Sequence, residues 1–137
     1  MGSTTLLTFG TFDTPHVGHA ALLRRCERYA DRVVVGVNSD YLAELHKGRR
    51  PLFTLEERMD LIEELGYEVV PVYILAREVI GEVKPDVLAI GSDWAGRDWL
   101  ATLGIDRAYL DDRGTAILYI PYTRGISTSL IRERCSR

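Results

Sequence analysis

The feature that most constrains the fold is the segment RVVVGV at residues 32–37, which is almost continuously β-branched. Such a run is typical of a strand that is buried on both faces of a parallel sheet. Other short β-prone runs recur along the chain, and stretches with helical periodicity or helix-capping signals separate them. Strands joined in this way need crossover connections, so we predict a Rossmann-like doubly wound α/β fold. Its parallel five-stranded sheet carries helices on both faces.

Capping and turn signals set the boundaries of several elements. Thr54 and Glu57 form a capping-box pair that opens a helix, and Gly66 ends that helix. The basic segment His46–Phe53 is predicted as a loop. The predicted strands are Thr5–Phe9, Arg32–Val37, Val69–Tyr73, Val87–Ile90 and Ala116–Ile120, and the predicted helices are Val17–Tyr29, Asp40–Leu45, 54–65, Glu78–Val83, Asp98–Leu103 and Ser127 to the C-terminus.

Composition excludes several classes of function. A chain of 137 residues with 46% hydrophobic and 27% charged residues fits one ordinary globular domain, residues 1–137. The formal net charge of −3 argues against a nucleic-acid partner, and no apolar run approaches the ~20 residues of a membrane span. Cys26 and Cys135 lack the spacing of paired ligands, so we expect no disulfide framework and a cytoplasmic location.

The segment GTFDTPHVGH, residues 10–19, joins the first predicted strand to the first predicted helix. The free N–H groups and the dipole of a helix N-terminus favour an anion there. Gly10 and Gly18 lack a Cβ atom and let a ligand approach the backbone. His16 and His19, three positions apart, share a helix face if both lie in the first turn. The loop therefore favours contact with phosphate oxygens.

A second loop near the C-terminus has the same character. Gly125 precedes three hydroxyl residues, Ser127, Thr128 and Ser129, at another predicted helix start. Polar residues also follow the second and fourth strands, in NSD at 38–40 and GSDW at 91–94. The carboxyl ends of parallel strands meet at one edge of the sheet, where such folds bind ligands. Two anion sites that face each other there would suit a triphosphate.

Each of these residues also has a purely structural interpretation. His16 and His19 could bind zinc, but that requires further ligands, and the only other histidine is His46. Asp13 could hydrogen-bond its own turn. The other structural interpretations are a helix cap for Ser127 or Thr128, a solvated basic loop for Lys47, Arg49 and Arg50, a surface charge for Arg58, and packing for Trp94 and Trp99.

Two motifs resemble the signatures of a known family, the cytidylyltransferase-like nucleotidyltransferases. HVGH at 16–19, after GTFD at 10–13, resembles their H-x-G-H signature, and GISTS at 125–129 resembles their second signature. The GSDW segment strengthens the likeness to the glycerol-3-phosphate cytidylyltransferase branch. Three other segments also resemble the heptose-phosphate adenylyltransferase branch, which keeps ATP as an alternative: VNSD at 37–40, KGRRP at 47–51 and LEERM at 55–59.

The resemblance implies transfer of CMP from CTP to a phosphorylated alcohol such as glycerol 3-phosphate, with Mg²⁺ carried by the triphosphate, and a homodimer. It implies no metal bound by protein ligands alone. The implied catalytic residues are His16, His19, Arg58, Arg124, Ser127 and Thr128. The implied nucleotide-binding residues are Gly10, Thr11, Phe12, Asp13, His16, Gly18, His19, Asp93, Trp94, Tyr122, Thr123, Gly125, Ile126, Ser127, Thr128 and Ser129, and the acceptor-binding residues are Asp40, Lys47, Arg49 and Arg58.

The sequence departs from the family pattern at three positions. Ser92 stands where the glycerol-3-phosphate branch usually has Asp, Tyr122 where the family has Arg, and Arg124 where that branch has Glu. Arg124 would supply the missing charge from two positions along. Two alternatives to cytidylyl transfer stay open. One is adenylyl transfer to a sugar phosphate, pantetheine phosphate or FMN, and the other is a nucleotide-binding protein without turnover.

Overall fold

A five-stranded parallel sheet forms the centre of the computed structural model, which describes residues 3–13, 17–91 and 99–120. The strand order is β3-β2-β1-β4-β5, and every neighbouring pair is parallel. The predicted fold class is thus confirmed. The strands are β1 (Thr5–Gly10), β2 (Arg32–Asn38), β3 (Glu68–Val72), β4 (Val87–Gly91) and β5 (Ala116–Ile120).

Six helices cover both faces of this sheet in the described ranges. They are α1 (Val17–Cys26), α2 (Asp40–Lys47), α3 (Leu55–Glu64), α4 (Ala76–Val83), α5 (Trp99–Leu103) and α6 (Arg107–Arg113). None of them is long and apolar enough to cross a bilayer.

Consecutive strand residues pack on opposite faces of the sheet, as Val34 and Val35 of β2 show. Val34 packs with Leu42 of α2 and Ile80 of α4, in a cluster that also takes in residues of α5 and α6. The next residue, Val35, packs with Leu23 of α1 and Ile62 of α3. The period of two along a strand therefore assigns α1 and α3 to one face and the other four helices to the opposite face.

Every predicted element that the structure describes, except β5, differs from its predicted bounds by one to three residues, and one helix was not predicted. Helix α1 ends at Cys26 rather than Tyr29. The amides of Arg28 and Tyr29 donate to the carbonyls three residues earlier, which is a turn pattern and not that of an α-helix. Helix α2 continues beyond Leu45 to Lys47, where Gly48 caps it with a left-handed φ of 77°. Helix α6 was not predicted, since Leu110 is its only fully buried residue and its apolar pattern is weak. The helix predicted from Ser127 lies outside the described residues.

The strand order determines where a sheet of this kind binds ligands. The chain adds β2 and then β3 on one side of β1, and returns to place β4 on the other side. Ligands of doubly wound sheets bind where the strand order reverses, beyond the carboxyl ends of the strands. The strand order reverses between β1 and β4, so residues 11–13, which follow β1, border that point here.

The capping box predicted from the sequence is present at the start of α3. Thr54 Oγ1 accepts from the Glu57 amide at 3.2 Å, and Glu57 Oε1 accepts from the Thr54 amide at 3.0 Å. Thr54→Ala removes the cap and should lower the free energy of unfolding by about 1 kcal/mol in a urea titration. Thr54→Ser keeps the hydroxyl and serves as the control. An alanine variant as stable as the serine variant would contradict the assignment.

Candidate functional site

Arg58 is the largest fully buried side chain described, with 0% of its surface exposed. It lies on α3, and its guanidinium donates four hydrogen bonds, which use most of its five N–H groups. Nε donates to the Phe53 carbonyl at 3.0 Å, and Nη1 donates to the carbonyls of Thr11 and Asn38, both at 2.7 Å. Nη2 donates to Asp40 Oδ1 at 2.6 Å. One side chain thus joins the chain segments that follow β1 and β2 to the segment before α3.

Asp13 makes a second connection between the same segments. Its carboxylate is 5% exposed and accepts from the amides of Leu52 and Phe53, at 2.9 and 3.0 Å. The carboxylate therefore reaches across to a segment 39 and 40 positions away in sequence. We refer to the hydrogen bonds of these two side chains as the Arg58–Asp13 network. It fixes residues 11–13, which open the H-x-G-H loop, against the N-terminal end of α3.

Phe12 lies between the two residues that the network holds. Its φ of 53° is left-handed, a conformation that costs an ordinary residue roughly 1–2 kcal/mol. The ring is 5% exposed, and it occupies the space above Gly10, where a Cβ atom would lie 2.6 Å from Phe12 Cε2. The sequence predicted that Gly10 admits a ligand. In the structure the side chain of Phe12 occupies that space.

His19 lies in the first turn of α1, at the end of the loop. Its ring meets the Phe12 ring edge-on, with 5.2 Å between centroids and 68° between planes. Its Nδ1 atom is buried. His16 lies outside the described residues, and the shared face of the two histidines stays a prediction.

Two polar residues, Ser39 and Asp40, follow the end of β2. Ser39 caps α2 by accepting from the Leu42 amide, and its hydroxyl donates to the Tyr73 carbonyl at 2.6 Å. Asp40, the first residue of α2, keeps 35% of its side chain exposed while it binds Arg58. Arg49 is exposed in the loop after α2, which leaves it accessible to a ligand.

The remaining predicted site residues fall outside what the structure describes. Gly18 and Lys47 lie on helices α1 and α2, and their environments are not described. Ser92 lies outside the described residues, so its departure from the family pattern is known from the sequence alone. The residues of the predicted site that lie outside the described ranges are His16, Asp93, Trp94, Tyr122, Thr123, Arg124, Gly125, Ile126, Ser127, Thr128 and Ser129.

The burial of Arg58 contradicts its interpretation as a surface charge. Sequence reasoning also missed the backbone groups that bind it, because carbonyl oxygens carry no residue signature. One signal was available: Arg58 stands four positions before Ile62, and these are the two buried residues of α3. An arginine on the apolar face of a helix needs acceptors inside the protein.

Replacement of Arg58 should destabilise the fold. In Arg58→Lys the ammonium group has only three N–H donors, and it cannot reproduce the four hydrogen bonds of the planar guanidinium. We expect the free energy of unfolding to fall by about 3 kcal/mol, the lower end for breaking a buried pair, because Asp40 is partly exposed. Denaturant unfolding monitored by circular dichroism measures this change.

Arg32→Lys is the matched control for that experiment. Arg32 and Glu68 form a pair at 2.6 Å in which both side chains are 48% exposed. Exposed pairs contribute about 0–1 kcal/mol, so the control should stay within that range. Equal effects of the two substitutions would contradict a central structural role for Arg58.

Comparison with known proteins identifies relatives across nearly the whole chain. Residues 7–134 match the family model described as cytidylyltransferase-like. Glycerol-3-phosphate cytidylyltransferase of Bacillus subtilis (strain 168) is 33% identical over 132 residues, which cover 93% of this chain and 94% of that protein. The bifunctional protein HldE of Streptomyces coelicolor is 33% identical over 137 residues, 97% of this chain but 28% of that protein.

A solved structure supports the same fold. The lipopolysaccharide core biosynthesis protein from Thermoplasma volcanium GSS1 superimposes with a TM-score of 0.67 at 23% sequence identity, over 89% of this chain and 98% of that one. At this level of identity the likeness concerns the fold alone.

Proposed function

The chain belongs to the cytidylyltransferase-like family, and from this premise we propose that it transfers CMP from CTP to a phosphorylated alcohol resembling glycerol 3-phosphate. The products would be a CDP-alcohol and pyrophosphate. The observation that carries the proposal is the similarity to a glycerol-3-phosphate cytidylyltransferase over 93% of this chain and 94% of that enzyme. The connection from β1 to α1 supports it, since β1 borders the point where the strand order reverses and where such sheets bind ligands.

The proposed reaction is a displacement at phosphorus. An oxygen of the acceptor phosphate attacks the α-phosphorus of CTP, and the bond between that phosphorus and the oxygen bridging to the β-phosphate breaks. The electron pair of the broken bond leaves with pyrophosphate. Because the acceptor oxygen is already anionic near neutral pH, no general base is needed. Positioning of the reactants and stabilisation of charge then supply the rate.

The residues of the H-x-G-H loop are assigned to charge stabilisation. His19 Nε2, together with His16, would donate hydrogen bonds to oxygens of the α-phosphate as charge develops. The first turn of α1 adds the field of a helix N-terminus, which favours a bound phosphate. Ser127, Thr128 and Arg124 are proposed to hold the β- and γ-phosphates, and Asp93 and Trp94 to lie near the base and ribose.

We assign Arg58 and Asp13 as positioning residues rather than as groups that touch the substrate. Arg58 is 0% exposed, and four acceptors inside the protein already occupy its guanidinium. Its contribution would be to fix the backbone of the loop before the nucleotide arrives. The acceptor phosphate is assigned instead to Lys47 and Arg49, with the partly exposed carboxylate of Asp40 beside them.

Mg²⁺ is proposed to enter with the triphosphate as part of the substrate. Magnesium prefers phosphate oxygens and water to an all-protein cage. Within residues 3–13, 17–91 and 99–120, no three His, Cys, Asp or Glu side chains gather in a group suited to a metal. The carboxylate of Asp13, the one nearest to His19 in sequence, accepts two backbone N–H bonds. Asp13 is therefore engaged in the fold, and we propose that the nucleotide supplies most of the ligands of Mg²⁺.

Adenylyl transfer is the second candidate. It is favoured by the segments VNSD, KGRRP and LEERM, which resemble the heptose-phosphate adenylyltransferase branch. In that case ATP would replace CTP and a sugar phosphate would be the acceptor. Tyr122, in place of the family arginine, favours the remaining candidate, a protein that binds nucleotide without turnover.

Pyrophosphate release separates these functions. CTP and ATP, each with Mg²⁺, are tested against a panel of phosphorylated alcohols and sugars. We expect release with CTP and glycerol 3-phosphate or a close analogue. Release with ATP alone would overturn the CTP assignment in favour of adenylyl transfer. Nucleotide binding by calorimetry without release from any pair would favour the non-catalytic candidate.

The role of the histidines has its own test. His19→Ala removes one charge-stabilising donor and should lower kcat by about 10²–10³-fold, as should His16→Ala. His46→Ala is the control, because His46 is exposed on α2 and has no proposed role. Near-normal kcat in both loop variants would contradict the mechanism.

A further inference from the structure

We propose that the Phe12 side chain is a positioning residue for His19, and that Gly10 is glycine so that Phe12 can take this place. The inference rests on the proposed function, in which His19 donates to the α-phosphate. It adds a positioning role for the side chain of Phe12, which the family resemblance placed only among the nucleotide-binding residues.

The backbone of Phe12 holds an unfavourable conformation that its neighbours stabilise. Its φ of 53° lies in the left-handed region, which residues with a Cβ atom seldom adopt. The carbonyl of Thr11 accepts from Arg58 at 2.7 Å, and the side chain of Asp13 accepts from two distant amides. The residues on both sides of Phe12 are therefore fixed by the Arg58–Asp13 network.

This conformation places the Phe12 ring under the start of α1. The ring is 5% exposed and packs in the hydrophobic cluster that includes Leu23 of α1, Val35 of β2 and Ile62 of α3. Its edge-on contact with His19, at 5.2 Å and 68°, is a favoured geometry for two aromatic rings. Elements of the rigid core thus support the imidazole through one phenyl ring.

The orientation of the imidazole matters because, in the proposed function, Nε2 is the ring nitrogen that donates to the α-phosphate. Nδ1 is buried, so a rotation of the ring plane would swing Nε2 away from the phosphate. A displacement of about 1 Å in a reacting group can cost ~100-fold in rate. A packing residue with no contact to substrate could therefore control kcat.

The sheet contains a matched pair that separates this role from general packing. A Cβ atom at Gly10 would lie 2.6 Å from Phe12 Cε2, and one at Gly36 would lie 2.6 Å from Phe9 Cδ1. Phe9 packs in the cluster on the opposite face of the sheet, away from His19. Phe9→Leu and Gly36→Ala therefore disrupt an equally close contact between a phenylalanine ring and a glycine. Neither substitution alters a contact of His19.

The experiment compares Phe12→Leu and Gly10→Ala with Phe9→Leu and Gly36→Ala. Nitrogen-15 NMR of the His19 imidazole, assigned with His19→Gln, reports the ring's environment, and pyrophosphate release gives kcat and KM for CTP. We expect kcat to fall about 10- to 100-fold in the two loop variants, with less than about threefold change in KM. Only these variants should shift the His19 resonances and lose the Overhauser effect between His19 and residue 12.

Two outcomes would overturn the inference. The first is a set of His19 resonances in Phe12→Leu that match those of Phe9→Leu. The second is an equal loss of kcat in the loop and control variants. The NMR measurement needs no substrate, so it remains decisive if the unmodified protein proves to have no turnover. Failure of the proposed function would thus appear as an absence of pyrophosphate release, and failure of the positioning role as unchanged His19 resonances.

Discussion

The structure of the candidate site depends on one buried cation. Arg58 brings a guanidinium into an environment where an unpaired charge would be very costly. The four acceptors that satisfy it come from the ends of two strands, from the first residue of α2 and from the segment before α3. Three of the four are backbone carbonyls, so the side chain fixes the path of the chain itself. Removal of the guanidinium would leave those carbonyls and Asp40 without their partner. Loop geometry and fold stability are therefore linked through a single residue.

This link explains why a strained residue can persist beside a proposed active site. Phe12 adopts a left-handed backbone conformation, and its neighbours on both sides bind the Arg58–Asp13 network. Conformations of this kind cost about 1–3 kcal/mol and persist where the surroundings over-determine them. Here the surroundings are the parallel sheet and helix α3. Residues 11–13 are thus held in place before any nucleotide binds, which is what a mechanism based on positioning and charge stabilisation requires.

The sequence predicted features that depend on periodicity and capping, and it missed those that depend on tertiary contacts. The β-branched run at 32–37 and the alternation around it predicted the parallel sheet, and Thr54 with Glu57 predicted the start of α3. The partners of Arg58 could not be predicted, because they are carbonyls brought together by folding. Gly10 was assigned to ligand approach, since the sequence cannot show that a ring two residues away fills the space. Helix α6 was missed because it buries little apolar surface.

A crystal structure of the protein with CTP and Mg²⁺ would test the central claim most directly. The account predicts a triphosphate at the N-terminus of α1, with His19 Nε2 within hydrogen-bond distance of a phosphate oxygen. Arg58 should remain buried, with its bonds to the carbonyls of Thr11 and Asn38 unchanged from those at 2.7 Å here. A guanidinium that leaves those carbonyls to bind the nucleotide would contradict the account, as would a triphosphate bound elsewhere on the sheet.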